Sequence, residues 1–471
     1  MDVLIRRLGD HRGAPRLYLD CGALARAGFH PGKSKAVVAD AESCRILIRL
    51  DDAGSRRVSR KRRGGSENPV IDLNNTEILA CLDDFHQVRV IVLAGAIHVL
   101  APASERKARE RLQRLRGRIA SGEPLRCASI AFGAGITSWA LHRGLAEAGV
   151  STNLTMANEL QSEFLEIAAA HNPVCLMGTS LIGAPMQEAV LDEWLVGRVG
   201  NVELLEAGIP CSGASRAGIS KRGLAKMEDH PLVGHLVASV IQWIAALQPA
   251  VFIAENVTGY KVTASAAILR GWLVDAGYVV HEVELDAHDF GSLECRVRWF
   301  LVAVPREVNL DLSMLVPETT THLSLGQVLE DVPPDDPRYR RVEHLKSKAA
   351  RDRARGNGFK MQLIDASSTR VPTLRKGYHK GGSTDPRVRH PRDPDLSRLL
   401  TAKEHARIKG LDPRLLGHSS DTVGHKICGQ SVDARPLLAL GQHLGQAISA
   451  LTATVRRQRL QSTSSAIGVA A

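Results

Sequence analysis

Aromatic side chains are scarce, 4% of 471 residues, so a surface that stacks base after base of a single strand on exposed rings is not expected. No uninterrupted apolar run approaches the length that spans a bilayer, and the opening residues, Met1-Asp-Val-Leu-Ile-Arg-Arg7, lack the apolar centre of a signal peptide. A soluble cytoplasmic protein with no membrane partner is the expectation. The eight cysteines include no C-x-x-C pair, and the histidines form no cluster, which argues against a structural zinc, any other metal and a disulfide framework. Acidic charge is in deficit: 61 Lys and Arg stand against 50 Asp and Glu, a formal net charge of +11. A basic balance favours a polyanionic partner through counterion release.

What is present is length enough for two or three domains with a sizeable core. Before Gly122 two similar segments recur. One runs Pro15-Arg-Leu-Tyr-Leu19, Leu24, Gly28-Phe29, Ala36-Val-Val38 and Arg45-Ile-Leu-Ile-Arg-Leu50. The other runs Pro69-Val-Ile-Asp-Leu73, Ile78-Leu79, Phe85, Val88-Arg-Val-Ile-Val92 and Ala96-Ile-His-Val-Leu100. Each reads as strand, short helix, strand, turn, strand, and a unit this small cannot bury its own apolar face, so the two are expected to pack together as a pseudo-dimer. Between them, Arg56-Arg-Val-Ser-Arg-Lys-Arg-Arg-Gly-Gly65 reads as a basic loop, either a solvated linker or a phosphate contact. Residues 103–119 read as a charged helix leading into the next domain.

From Leu125 short apolar strands alternate with helical segments, the pattern of a doubly wound sheet. Cys127-Ala-Ser-Ile-Ala-Phe-Gly-Ala-Gly135 is a strand entering a small-residue turn, and Ser151-Thr-Asn-Leu-Thr-Met-Ala-Asn-Glu159 is a second strand ending in an acid. Glycines Gly133 and Gly135, followed about twenty residues on by an acid, form the ribose-binding arrangement of nucleotide-like cofactors. That arrangement alone suits a dehydrogenase nearly as well.

Three further strand ends carry reactive side chains. Val202 to Gly218 ends a strand in Pro210-Cys211 and small residues, including Gly213, Ala214, Ser215 and Ala217. A thiol there, near backbone N–H groups and cations, is expected to have its pKa lowered toward neutrality and to act as nucleophile. Ala250-Val-Phe-Ile-Ala-Glu-Asn-Val257 ends in Glu255-Asn256, and Arg296-Val-Arg-Trp-Phe-Leu-Val-Ala-Val304 opens with Arg296 and Arg298 on one face.

Pro210-Cys211, Glu255-Asn256-Val257 and Glu294-Cys295-Arg296-Val297-Arg298 resemble, in family order, the Pro-Cys, Glu-Asn-Val and Gln-x-Arg-x-Arg motifs of the C5-cytosine DNA methyltransferases of bacterial type. The resemblance extends over residues 125–451. It includes Arg398-Leu-Leu-Thr-Ala-Lys-Glu-His-Ala-Arg407, where Thr401 and Glu404 read as a capping box, and Lys426-Ile-Cys-Gly-Gln-Ser-Val432, which is similar to the family's Gly-Asn-Ser-Val turn with Gln430 in place of asparagine. It implies an α/β Rossmann-like S-adenosylmethionine-dependent methyltransferase domain with a small target-recognition domain, preceded by a β-rich N-terminal domain. Catalytic roles fall to Cys211, Glu255, Arg296 and Arg298. Cofactor contacts fall to Gly133, Gly135, Glu159, Thr179 and Ser431, Thr179 standing where the family often has an acid for the adenine.

The boundaries implied are 1–121 for the N-terminal domain, which faintly resembles swapped-hairpin DNA-binding domains, 122–305 for the catalytic domain, 306–424 for target recognition, 425–455 for a closing segment, and 456–471 for a disordered tail. The expected activity is DNA cytosine-5 methylation through a covalent cysteine adduct on a flipped base, without a metal. The expected partner is double-stranded DNA bound by a monomer near the nucleoid, the enzyme being either solitary or paired with a cognate restriction endonuclease encoded elsewhere. Two other readings are a DNA-binding regulator whose methylase domain is inactive, and a tRNA cytosine-5 methyltransferase.

Overall fold

A computed structural model describes the chain apart from residues 12–13, 41–43, 64–65, 83–84, 86, 216–217, 220–221, 316, 318–322 and 468–471. Ala217 of the small-residue loop thus lies outside the described residues. The chain divides into two compact units, Met1–Glu110 and Arg111–Ala471.

The first unit contains β1 (Asp2–Arg7), β2 (Gly9–His11), β3 (Ala14–Leu19), α1 (Gly22–Arg26), β4 (Ser34–Asp40), β5 (Arg45–Leu50), β6 (Arg56–Arg57), β7 (Ser59–Arg63), β8 (Ser66–Leu73), α2 (Thr76–Leu79), β9 (Gln87–Leu93) and β10 (Ala96–Leu100). Six strands form one antiparallel sheet in the order β1-β9-β10-β5-β4-β6, and four form another in the order β2-β3-β8-β7. Strand β9 shows the period of two that buries one face: Val88, Val90 and Val92 point inward. The two sequence repeats interleave. Strand β3 runs against β8, with Leu17 opposite Leu73 and Leu19 opposite Ile71, and β5 runs against β10, with Ile48 opposite Ile97. In addition β1, ahead of the first repeat, pairs with β9 of the second, and β6, ahead of the second, pairs with β4 of the first; the two repeats share one apolar core.

The basic run 56–65 is not a loop. Its described part forms β6 and β7, with Ser59 opposite Val70 and Arg62 opposite Glu67. Arg60 and Arg62 both reach Glu67, and Lys61 reaches Asp20 at 2.6 Å. Arg60 and Arg62 find a carboxylate on the paired strand β8 and Lys61 one just past the end of β3, a pairing that charge counting along the chain does not reveal.

Helix α3 (Ala103–Ser121) carries the division between the units within it. Its later part belongs to the second: Leu112 and Leu115 are buried in that core, and the Arg111 guanidinium donates to the carbonyl of Ala276 at 2.6 Å.

The second unit is built on a seven-stranded sheet in the order β13-β12-β11-β14-β15-β18-β16. Its strands are β11 (Leu125–Ile130), β12 (Thr152–Asn158), β13 (Ser180–Ile182), β14 (Leu204–Gly208), β15 (Val251–Asn256), β16 (Val279–Asp286) and β18 (Val297–Val304), with a two-residue β17 (Glu294–Cys295) before the last. Pairing is parallel from β13 to β15, and β18 lies antiparallel between β15 and β16. The central strands are mostly apolar and mostly buried because both faces are covered. One face carries α4 (Ile136–Glu147) and α5 (Ser162–His171). The other carries α6 (Met186–Ala189), α7 (Glu193–Val199), α8 (Leu236–Leu247) and α9 (Ala264–Asp275).

Beyond β18 the chain makes α10 (Glu343–Ala354), α11 (Ala402–Ile408), α12 (Asp421–Gln430) and α13 (Ala434–Ile467). Leu325, Val371, Leu374, Tyr378, Leu400 and Ile408 close a separate small core. Ahead of α10, Leu325–Gln327 forms a 3-10 turn capped reciprocally by Ser324 and Gln327. The capping box at Thr401 and Glu404 is present, and the buried Glu404 carboxylate also takes both Nη atoms of buried Arg398 at 2.8 Å. Helix α13 returns to pack on α4. A Cβ on Gly144 would fall 2.1 Å from the carbonyl oxygen of Leu438, and one on Gly441 2.4 Å from that of Leu141, so glycine is what lets the two backbones touch. The backbone of α13 stays helical to Ile467, through most of the segment read as a disordered tail, since no glycine or proline interrupts it after Gly445.

Candidate active site

The C-terminal ends of parallel strands, where ligands sit in open α/β sheets, are also where the candidate residues gather. After β11 the chain turns through Gly133 (φ 59°) and Gly135 (φ 75°) into α4. At Gly135 a Cβ would strike the Phe132 ring at 2.3 Å and Asn172 Nδ2 at 2.7 Å, so both the left-handed φ and the crowding require glycine. Asn172, which sequence reasoning passed over, holds this turn by donating to the carbonyls of Ala134 and Gly135 at 2.9 and 3.0 Å. Glu159 follows β12 and is tied to the same turn: its carboxylate accepts from Gly133 N at 2.8 Å and from Gln161 N at 3.0 Å. Beside it Leu160 is 67% exposed, an apolar side chain left open next to a carboxylate.

Gln430 brings the far end of the chain to this place, its amide nitrogen lying 3.3 Å from where a Gly133 Cβ would be. Ser431 caps the end of α12, its hydroxyl donating to Cys428 O at 2.9 Å. Thr179 points elsewhere. Its hydroxyl donates to Leu154 O at 2.8 Å and accepts from Leu176 N at 3.1 Å, so its one proton is used within the backbone.

The Pro-Cys loop leaves β14. Cys211 is part-buried, and its carbonyl accepts from Ala214 N and Ser215 N, both at 2.9 Å, folding the small residues into a tight turn. Glu255 at the end of β15 and Arg298 at the start of the antiparallel β18 are brought side by side, Arg298 Nε lying 3.0 Å from Glu255 Oε1. Asn256 ties the two loops together, its side-chain amide donating to Ile209 O at 3.1 Å while its oxygen accepts from Val257 N. A Cβ on Gly259 would fall 2.7 Å from Ala214 O, so the second loop rests directly on the first.

Electrostatics reverse one expectation. Burial pushes the Cys211 thiol above its ordinary pKa, the Glu255 carboxylate adds to this, and Arg298 and Arg296 oppose it without prevailing. The resting group is a thiol rather than an activated thiolate, because the loop buries the sulfur more than residue types can tell. Burial likewise raises the Glu255 carboxyl against the pull of Arg298, Arg296 and Lys409. A carboxyl whose grip on a proton is strengthened by burial and a thiol that needs a base to lose one thus share the cleft.

Arg296 is placed differently from Arg298. It is buried, donating to Leu374 O at 3.3 Å and to Gly429 O at 3.1 Å, so its guanidinium spans two backbone segments. Lys376, a neighbour of Leu374, lies with its ammonium 6.0 Å from the Phe164 ring centroid, close enough to Glu159 and Cys211 to feel both. Farther out, Arg338, Arg341, Lys346 and Lys348 are engaged with Asp336, Asp395 and Asp352, whereas Arg351 and Arg353 on α10 are in no ion pair among the described residues.

Comparison with known proteins gives the family. A family described as C-5 cytosine-specific DNA methylase matches residues 143–446. The chain is 29% identical over 258 residues to the Type II methyltransferase M.NlaX of Neisseria lactamica, covering 53% of this chain and 78% of that one. It is 26% identical over 251 residues to M1.ScrFI of Lactococcus lactis subsp. cremoris, covering 51% and 62%. Among solved structures the S. pombe Dnmt2 methyltransferase superposes with a TM-score of 0.53 at 17% identity, covering 70% of this chain and 99% of the other, a likeness of fold. With the matched stretch spanning more than half of its length, the chain belongs to the C-5 cytosine-specific DNA methylase family.

Proposed function

We propose that the protein transfers a methyl group from S-adenosylmethionine to carbon 5 of a cytosine in a specific duplex sequence, through a covalent bond to Cys211. The observation that carries this is the meeting of Cys211, Glu255 and Arg298 at one end of adjacent strands β14, β15 and β18 in a member of this family.

The residues across the cleft suit the methyl donor. Glu159 retains lone pairs for ribose hydroxyls, Leu160 offers an apolar wall for the adenine, Gly133 and Gly135 admit the methionine end close to the backbone, and Gln430 and Ser431 close from the far side. When bound, the donor supplies an electrophilic methyl on a sulfonium sulfur. Carbon 5 of cytosine is a poor nucleophile. Addition of the Cys211 sulfur at carbon 6 forms an S–C bond and moves electron density to carbon 5. Protonated Glu255 donates to ring nitrogen 3 and accepts from the exocyclic amine, which stabilises that density and selects cytosine over thymine. Arg298 holds Glu255 and the base oxygen in register. Carbon 5 takes the methyl as the donor's sulfur leaves as a thioether. A base then removes the carbon 5 proton, the S–C bond breaks to release Cys211 as thiolate, ring nitrogen 3 returns its proton to Glu255, and the thiolate regains the proton it lost to a base on addition. Carbon 6 is covered in a stacked duplex, so the base must rotate out, at a cost of a few kcal/mol.

The test is duplex DNA carrying 5-fluorocytosine at its methylated sites, offered with the donor. Fluorine cannot leave as a cation, so a complex resistant to denaturant accumulates on the wild-type chain; absence of any such complex overturns the covalent route.

Glu159→Ala is expected to raise the KM for the donor about 10- to 100-fold, since a charge-assisted pair of hydrogen bonds contributes ~1.5–3 kcal/mol. An unchanged KM would remove Glu159 from the ribose role.

For the first unit we propose a second DNA contact, on account of its basic strands and the basic balance of the chain. Deleting residues 1–102 leaves α3 intact, and should weaken DNA binding about 10-fold while transfer persists, read by filter binding and by tritium incorporation. Equal affinity in the truncated chain would exclude this role. A partner restriction endonuclease, and action as a monomer, complete the reading; the Type II names of the relatives support the first.

A further inference from the structure

Glu294 stands where the family motif has glutamine, and its side chain is fully buried. A carboxylate there needs cations, and two are in place. Lys409 Nζ, equally buried, lies 2.7 Å from Glu294 Oε2, and Arg296 Nη1 lies 3.4 Å from Oε1. The same Oε1 accepts from Leu374 N at 2.7 Å. Each cation then holds a further backbone group: Arg296 the carbonyls of Leu374 and Gly429, Lys409 the carbonyl of Ser431 at 3.2 Å. Leu374 belongs to the small core that carries the recognition region, and Gly429 to Ser431 form the turn beside Gly133.

We infer that Glu294 is a positioning residue: by sharing its one negative charge between Arg296 and Lys409, it fixes the recognition segment at Leu374 and the cofactor-side turn at Gly429–Ser431 against the active-site strand β18. This deepens the proposed function and rests on it only for the meaning of the two segments.

The charge count makes the inference asymmetric. Glu294→Gln takes from two buried cations the carboxylate in contact with both, leaving carbonyl oxygens and the carboxyls of Asp433 and Glu255 around them, the costly way to break a buried pair. Lys409→Met leaves Glu294 balanced by Arg296. The double variant leaves Arg296 beside a glutamine, the family's own arrangement. Burial already lowers Lys409 to about 8, with Arg296 pushing the same way and Glu294 and Asp433 opposing. Around it stand His405 on α11, Cys428 on α12 and Glu255 on β15. Both His405 and Cys428 are held uncharged by burial, and Glu255 is itself raised. In Glu294→Gln the lysine loses its contacting counter-charge, keeps only the pull of Asp433 and gives up its proton at lower pH, so the defect should fade as pH rises.

The experiment measures kcat/KM for tritiated methyl transfer to plasmid DNA between pH 6.5 and 9, with thermal midpoints, for the wild type, E294Q, K409M and E294Q/K409M. At pH 7, E294Q is expected to lose ~100-fold or more relative to wild type. K409M should lose about tenfold less, and adding K409M to E294Q should restore most of the loss in both readouts. The ratio of E294Q to wild type should climb about tenfold by pH 9, and that climb should be absent once K409M is added. An E294Q enzyme equal to wild type at pH 7, or a deficit that neither K409M nor alkaline pH relieves, overturns the inference; failure of the double variant to fold counts as such a deficit. The midpoints report charge balance without reference to the covalent route, so failure of this inference and failure of the Cys211 mechanism are distinguishable.

Discussion

Cys211→Ala is expected to abolish methyl transfer, by ~10⁴-fold or more, while duplex DNA is still bound. The size follows from chemistry: without a sulfur on carbon 6, carbon 5 never becomes nucleophilic, and nothing else in the cleft can take over, since Glu255 and Arg298 are engaged with each other. The substitution removes one part-buried sulfur from a turn held by backbone hydrogen bonds from Ala214 and Ser215, so the fold should tolerate it. Tritium incorporation, filter binding and thermal melting separate the three consequences. Methylation surviving in the variant would end the nucleophile assignment. Because the thiol is raised by burial, the wild-type enzyme carries little thiolate near neutrality, and the base that removes its proton acts only with the target in place.

The second large effect concerns Glu255. Glutamine keeps a donor for ring nitrogen 3 and an acceptor for the exocyclic amine, but it has no proton to transfer. Glu255→Gln should therefore leave the KM for DNA nearly unchanged and lower kcat by about 10²–10⁴-fold. The pH profile gives a sharper reading. Productive wild-type enzyme needs Glu255 protonated and Cys211 ionised, and both groups are raised by burial. Between the two macroscopic pKa values of this coupled site, the protonated acid declines as fast as thiolate grows, so kcat/KM should be flat. In Glu255→Gln only the thiol titrates, and kcat/KM should climb about tenfold per pH unit over the same interval. A variant profile as flat as that of the wild type would show that Glu255 does not act through its proton.

Much of the architecture is readable along the chain, because local patterns have local causes. The alternation Val88, Val90, Val92 marks a half-buried strand, the apolar run of β15 marks a doubly covered one, and Thr401 with Glu404 spells a helix cap that the backbone then makes. The interleaving of the N-terminal repeats is harder to read. Period and length give each strand, but the pairing of β1 with β9 and β6 with β4 is a choice among partners of equal pattern.

At the site the residue types were visible and their electrical state was not. Cys211 was expected to be acidic because small residues and cations surround it in the chain; burial, a property of the folded loop, sends it the other way. Arg296 and Arg298 alternate on one strand face, yet one faces Glu255 while the other is sealed between Leu374 and Gly429. Thr179 occupies the place of an adenine acid, but its hydroxyl is already bonded within the backbone.

The sequence alone therefore determined the family, the strand-and-helix order and the chemical kinds brought to the sheet's edge, since each is written in spacing and side-chain type. Tertiary structure decided which of those groups hold protons and which cation answers Glu294, because both depend on how deeply a group is buried and on what residue distant in the chain folds beside it. Lys409 carries no mark in the sequence of being the partner of a carboxylate more than a hundred positions earlier; only the closed fold sets the two 2.7 Å apart and out of water's reach.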